Sequence, residues 1–353
     1  MLRSVKHFSL HRIHFTELRV VSDVAEGVLP VIEAEERVVQ KYSQAPGWPH
    51  RWITLFVLED LQPLLRQLHQ GAFPANLALA QPSLSPAEVS ALSERPVVNV
   101  YDLADLTTCN IFVNRQEMMK QHYWEDAYAM RGLMAHEHAH PLAENEITQA
   151  SRQVHLRVLD GRMKGQPASD RTSKIIQVLI PLAEKLSLLA PRELLTNELS
   201  IHSSFSEDLL HLNMLNVANA GASIAGRESL EQRLQEEVSQ GDLTKAEAGL
   251  LLLVGDLNGF LPLALEIAPF YRAGKPDSAH VLEGVLETSV FPNLDPLAVK
   301  CFNHLCDHYM ALPSLNLSLP EMAAWSEKVI QILCSPLQAR DFSLQYTMGL
   351  AEG

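Results

Sequence analysis

The sequence predicts an α+β protein that is predominantly α-helical. Two observations carry that expectation. Short β-like runs rich in Val, Ile, Phe and Tyr fall in the first third, at residues 13–21, 97–101 and 110–114. From Arg115 onward, apolar residues recur at helical spacing almost to the end of the chain.

The composition bounds the function. Hydrophobic residues make up 47% and charged residues 20% of the 353 residues, the balance of a packed globular chain. The formal net charge of −14 repels phosphate backbones, and no Lys/Arg cluster offsets it, so nucleic acid is not an expected partner. Cys109, Cys301, Cys306 and Cys334 are too few and too irregular for a disulfide scaffold, which points to a reducing, cytoplasmic setting. Asp23 and Glu26 interrupt any signal-like run near the N-terminus. The most membrane-like stretch, residues 249–268, holds Asp256, Asn258, Pro262 and Glu266; two buried helices meeting near 256–259 are expected, and no membrane partner.

Four segments follow in order. Residues 1–75 combine the first β-like run with an amphipathic helical pattern over 55–68, where Leu58, Leu61, Leu64, Leu65 and Leu68 recur. Residues 76–96 read as a linker, with Pro82, Pro86 and Pro96. Residues 97–216 begin with two strands and continue as helices over 115–122, 124–140, 143–164, 173–188 and 191–216. Residues 217–353 form a C-terminal helical region, with a helix at 228–240 and four or five more up to 349.

Chemistry concentrates in His136-Glu137-His138-Ala139-His140. On a helix, His136 and His140 project from one face a turn apart and reach one ion. Glu137, beside the first, can hold and deprotonate a water on that ion. The lead-in favours a helix: residues 124–135 contain no Val, Ile or Thr, and Ala127, Met130, Leu133 and Met134 form a stripe. Pro141 disfavours continuation, so the helix is expected to end at His140. His138 then faces away from the ion, toward the surface or a supporting role. The five-residue pattern alone recurs by chance too often to carry an assignment; the lead-in, the proline and a third ligand carry it.

Catalytic zinc takes three protein ligands and leaves a position for water. Glu198 is the first candidate, because Glu198 and His202 fall within the apolar face that Leu195, Leu199, Phe205, Leu209 and Leu210 define. A carboxylate there is costly unless something pairs with it. Glu144, Glu146 and His202 are the alternatives. With His136, Glu137, His140, Asn197 and Glu198 in this order, residues 110–210 resemble the gluzincin class of zinc metallopeptidases. The resemblance implies a zincin-like core of a small sheet and the metal helix, Zn2+ as cofactor, and His136, His140 and Glu198 as ligands. It further implies Glu137 as general base, with Asn197 and His202 in support, although His202 stands where thermolysin-like members carry Asp. In such folds the strand before the metal helix is a sheet edge that pairs with an extended peptide; 110–114 takes that role here or is an ordinary buried strand.

The expected function is therefore a zinc-dependent hydrolase acting on a peptide or protein substrate. A non-enzymatic helical interaction or regulatory protein retaining a metal site is the alternative. Tyr123, Tyr128, His155 and His211 are candidate oxyanion donors without priority. Cys301, His304 and His308 share a helix face, but one helix cannot surround a tetrahedral ion, and a packed helix is expected there.

Overall fold

A computed structural model describes residues 5–45, 47–63, 92–164, 170–314 and 317–350. The chain divides into two compact units, the first from residues 1–142 and 199–215, the second from 143–198 and 216–353.

The first unit is built on a five-stranded mixed sheet. Strands β1 (His7–Ile13) and β2 (Thr16–Ser22) pair antiparallel across a turn that holds His14 at φ 53. Helix α1 (Val28–Tyr42) returns the chain to β3 (Trp52–Leu58), which runs parallel to β2. Strands β4 (Val97–Asp102) and β5 (Asp105–Asn114) follow, β5 beside β3 and parallel to it, giving the order β1-β2-β3-β5-β4. Two helices come next, α2 (Arg115–Lys120) and α3 (Ala127–Leu142). Val28, Val31, Ile32, Val38, Val39 and Tyr42 form the buried stripe of α1, with Glu35 in its middle.

This sheet corrects two expectations. Residues 52–58 are a strand, not the start of a helix over 55–68. Leu55 and Leu58 have helical spacing, but residues 55–58 are all buried, and a strand covered on both faces reads as a continuous apolar run. The rest of that pattern from 64 on, and most of the 76–96 linker, lie outside the described residues. Strands from 1–75 and from 97–114 share one sheet, so a boundary at 96 separates no packing unit.

The second unit opens with α4 (Glu146–Arg152) and β6 (Val154–Met163), then α5 (Asp170–Glu184). A π-helical turn, Lys185–Leu189, leads into α6 (Ala190–Ser200). From 199 to 215 the chain belongs to the first unit again, with a second π-helical turn, Ile201–Phe205, before α7 (Ser206–Ala222), whose end returns to the second unit. The remaining helices are α8 (Ile224–Gln240), α9 (Lys245–Phe260), α10 (Ala264–Arg272), α11 (Pro276–Val285), α12 (Pro296–Met310) and α13 (Leu319–Gln338). Strand β7 (Phe342–Leu350) closes the described chain, antiparallel to β6.

Three further expectations change. The helix predicted over 143–164 ends at Arg152, and the alternating burial of β6 is that of a strand with one covered face. The helical pattern expected up to 349 gives way to β7. The helix predicted over 191–216 breaks at Ser203 and Ser204, where Ser204 takes φ 76. A predominantly helical α+β fold with a small mixed sheet and a helical C-terminal region is what the chain forms.

By length and composition alone, Lys245–Arg272 is apolar enough to cross a membrane, yet 56% of its most apolar window is buried inside the protein. It is two helices joined by a 3-10 turn over Leu261–Leu263. Asp256, 1% exposed, accepts two hydrogen bonds from Arg227 (2.7 and 3.1 Å) and one from the Asp295 amide (2.8 Å), so its charge is paired within the fold. On α12, the Cys301 thiol donates to the Ile332 carbonyl and the His308 ring stacks on Trp325. Among the described residues this helix contributes to no metal-donor cluster.

Candidate metal centre

Helix α3 begins where the Asp126 side chain accepts the amide hydrogens of Tyr128 (3.0 Å) and Ala129 (2.9 Å), satisfying donors that the first turn leaves open. Burial works against that carboxylate, but these amides and His211, 2.6 Å away, hold its pKa below the usual range.

Near the other end, His136, Glu137 and His140 each offer a ligand atom within 4.8 Å of the others. The two imidazoles meet edge to face with centroids 4.6 Å apart, as an i, i+4 pair on one helix face must. Glu137 and His140 are 8% and 5% exposed, and His136 is more open. The donor set suits a cation that accepts imidazole nitrogen and carboxylate oxygen; by itself it does not fix which one.

The helix continues one residue past Pro141, to Leu142, rather than ending at His140. Proline has no N–H, so the Glu137 carbonyl one turn earlier lacks its helical donor. The Asn99 side-chain amide fills that place at 2.9 Å. The Asn99 backbone N–H, pointing outward from strand β4, donates to the Glu137 carboxylate at 3.1 Å. One strand residue thus fixes both the backbone and the side chain of Glu137. Sequence reasoning missed Asn99; an Asn within a β-like run ahead of the motif was the available signal.

His138 lies on the opposite side of α3 and is wholly buried, which corrects a surface position for it. Its Nε2 is 2.7 Å from Glu35 on α1, itself 0% exposed. Burial opposes a charged imidazole, but the Glu35 carboxylate outweighs it and pushes His138 up to about 10. Beside it lie His50 and Cys109, and the three donor atoms form a second cluster within 4.8 Å. Burial, with the charge on His138, pushes His50 down to about 4; burial also raises the Cys109 thiol. Glu35, His50 and Cys109 went unmarked in the sequence, although an acid within the apolar stripe of α1 was visible there.

Glu198, the expected third ligand, stands near the end of α6. Its Oε2 accepts from Arg272 Nε (3.0 Å) and Nη2 (2.7 Å). Asn197 is buried and donates to the Leu265 carbonyl, whereas His202 is exposed in the π-helical turn. Glu144 accepts from Arg152 and Thr148, and Glu146 lies in the first turn of α4. Of the four oxyanion candidates, Tyr123 is buried, Tyr128 is exposed under the Arg131 guanidinium, His155 is exposed on β6, and His211 pairs with Asp126. Of the two readings of 110–114, the buried strand holds and the sheet edge does not: β5 is interior and β4 is the edge.

In comparisons with family models, with curated proteins and with solved structures, nothing matched this chain.

Proposed function

We propose that this chain is a zinc-dependent hydrolase and that its substrate is a peptide or protein. The observation that carries the reading is the convergence of His136, Glu137 and His140 on one face of α3, with Glu137 held by Asn99 from an edge strand. His136 and His140 would hold the ion. A bound zinc ion supplies Lewis acidity toward a water and a substrate carbonyl. Glu137 takes the proton of the attacking water and delivers it to the leaving amine, a general base and then a general acid. The Asn99 amide keeps the carboxylate aimed during both transfers. β4 is the edge strand of the sheet, and beyond Asn99 an extended substrate backbone would add there. A cytoplasmic setting is consistent with four free, buried cysteines.

Glu198 remains the candidate for the third donor, and the grip of Arg272 on Oε2 weighs against it. Metal analysis of the purified chain tests the whole assignment. About one zinc bound in this donor set is expected, lost in His136→Ala and kept in Glu137→Gln, which hydrolyses no peptide. Zinc content at this site should fall in Glu198→Gln. Peptide hydrolysis that survives in Glu137→Gln sinks the catalytic reading. A metal site without any hydrolytic activity returns the chain to the non-enzymatic alternative.

A further inference from the structure

The cluster on the far side of α3 stands apart from the proposed hydrolytic centre. His50 lies in the turn before β3, Cys109 on β5 and His138 on α3, and all three are 0% exposed. His50 Nδ1 is 2.6 Å from the Leu106 carbonyl, which can only accept, so that nitrogen carries the proton and Nε2 of the neutral ring presents a lone pair. His138 Nε2 is committed to Glu35, leaving Nδ1 to face the cluster. Both remaining nitrogens are buried without a hydrogen-bond partner. Two orphaned imidazole nitrogens and a thiol within 4.8 Å are a costly arrangement for a plain core.

A buried imidazolium–carboxylate pair accounts for Glu35 and His138 only. It leaves Nδ1–H of His138 with only the Cys109 sulfur, a weak acceptor, and it leaves Nε2 of His50 without a partner. A nucleophilic Cys–His–Glu set also fails, since no substrate reaches a thiol that is 0% exposed. A cation gives both orphaned nitrogens and the sulfur one shared partner. Imidazole ligands commonly donate their second nitrogen to a carbonyl or a carboxylate, as these two do. In a tetrahedral zinc site, neighbouring ligand atoms lie roughly 3.3–3.7 Å apart, within reach of these positions. The thiolate and the Glu35 carboxylate together balance a divalent charge away from water.

We propose that His50 Nε2, His138 Nδ1 and the Cys109 thiolate form a second, buried three-ligand site for a borderline-soft divalent cation, with Zn2+ as the reference ion. Imidazole and thiolate together select this class over Mg2+ or Ca2+. Binding displaces the thiol proton to solvent, and with it the hydrogen bond that Cys109 makes to Asn99 Oδ1 at 3.1 Å. The proposal does not depend on hydrolysis at the other face of α3.

The test uses the full chain carrying His136→Ala and His140→Ala, which removes the first donor cluster. After chelation and reloading with Zn2+ alone, about one ion per chain is expected, with a sulfur neighbour at about 2.3 Å by X-ray absorption. Co2+ in its place gives a thiolate charge-transfer band that disappears in Cys109→Ser. Glu35→Gln retains the band and weakens binding roughly 10–100-fold. The absorption measurement needs no change at Cys109, so a variant that fails to fold leaves the test standing. No ion retained in the double variant, a bound ion without sulfur, or a band that survives Cys109→Ser overturns the proposal.

Discussion

Asn99 and Glu137 meet twice: the Asn99 side chain donates to the Glu137 carbonyl, and its backbone N–H donates to the Glu137 carboxylate. The first contact exists because Pro141 cannot serve that carbonyl. Asn99→Ala should therefore cost about 1–2 kcal/mol of stability. It should reduce hydrolysis while leaving metal content intact. With Pro141→Ala present, a helical N–H becomes available, and the stability cost of Asn99→Ala should shrink. A double-mutant cycle by denaturant unfolding reads this coupling; equal costs in both backgrounds would mean the side chain does not serve that carbonyl.

Gly132 brings α3 close to the chain at Asp208. A Cβ added there would lie 2.9 Å from the Asp208 carbonyl oxygen and 3.3 Å from Leu212 Cβ. Backbone gives way less easily than a flexible side chain, so Gly132→Ala should destabilise by about 1–3 kcal/mol despite alanine's helix preference. Thermal unfolding measures it, and an unchanged or raised Tm would contradict this packing.

Asp256 is buried with its charge paired to Arg227. Asp256→Ala leaves the Arg227 guanidinium, 14% exposed, with Glu231 as its remaining acid and takes the acceptor from the Asp295 amide, at a cost of about 2–4 kcal/mol. Replacing both residues with apolar ones of similar volume should recover much of that loss. Urea midpoints of the two variants decide it, and a single variant as stable as the parent would show that the pair contributes little.

Burial pushes Cys334 up to about 11 and Cys301 up to about 12, and raises Cys306 further. Unfolded thiols ionise near 8.5 to 9, so from about pH 9 to 11 the unfolded chain has lost protons that the native chain keeps. Stability from these groups is present below that window and falls as pH rises through it, by at most about 1.4 kcal/mol per pH unit for each thiol. Cys334→Ala should flatten the decline in unfolding free energy over that range. At pH 8 these three thiols should react with an alkylating reagent only after denaturation. Rapid labelling of the native chain would show that they are not buried as described.

Helix α3 was legible because its lead-in is rich in strong helix formers, although of the expected stripe only Met130 and Met134 are buried. Strand β3 was not, since a strand buried on both faces and a helix of leucines both appear as unbroken apolar runs. β6 and β7 pair across nearly two hundred residues, and no local pattern announces a partner that distant. The same limit hid Asn99, Glu35, His50 and Cys109. Each gains its role from a residue on another element, and the reading of 136–140 as one motif drew His138 toward the wrong surface. The acid inside the α1 stripe carried the clearest unused signal, because a carboxylate among valines must find a partner.

The chain enters the second unit at residue 143, returns to the first at 199 and leaves it again at 216. A nascent chain that has emerged only as far as Leu142 still lacks Asp208 and Leu212, which stand against Gly132, and Phe205, which packs on Tyr42. The first unit therefore cannot mature on the ribosome until residue 215 has been synthesised, when the second unit has only its opening third. Neither can be lifted out as a contiguous cassette, so gene fusions and truncations of this protein have to respect the interleaving rather than a single cut.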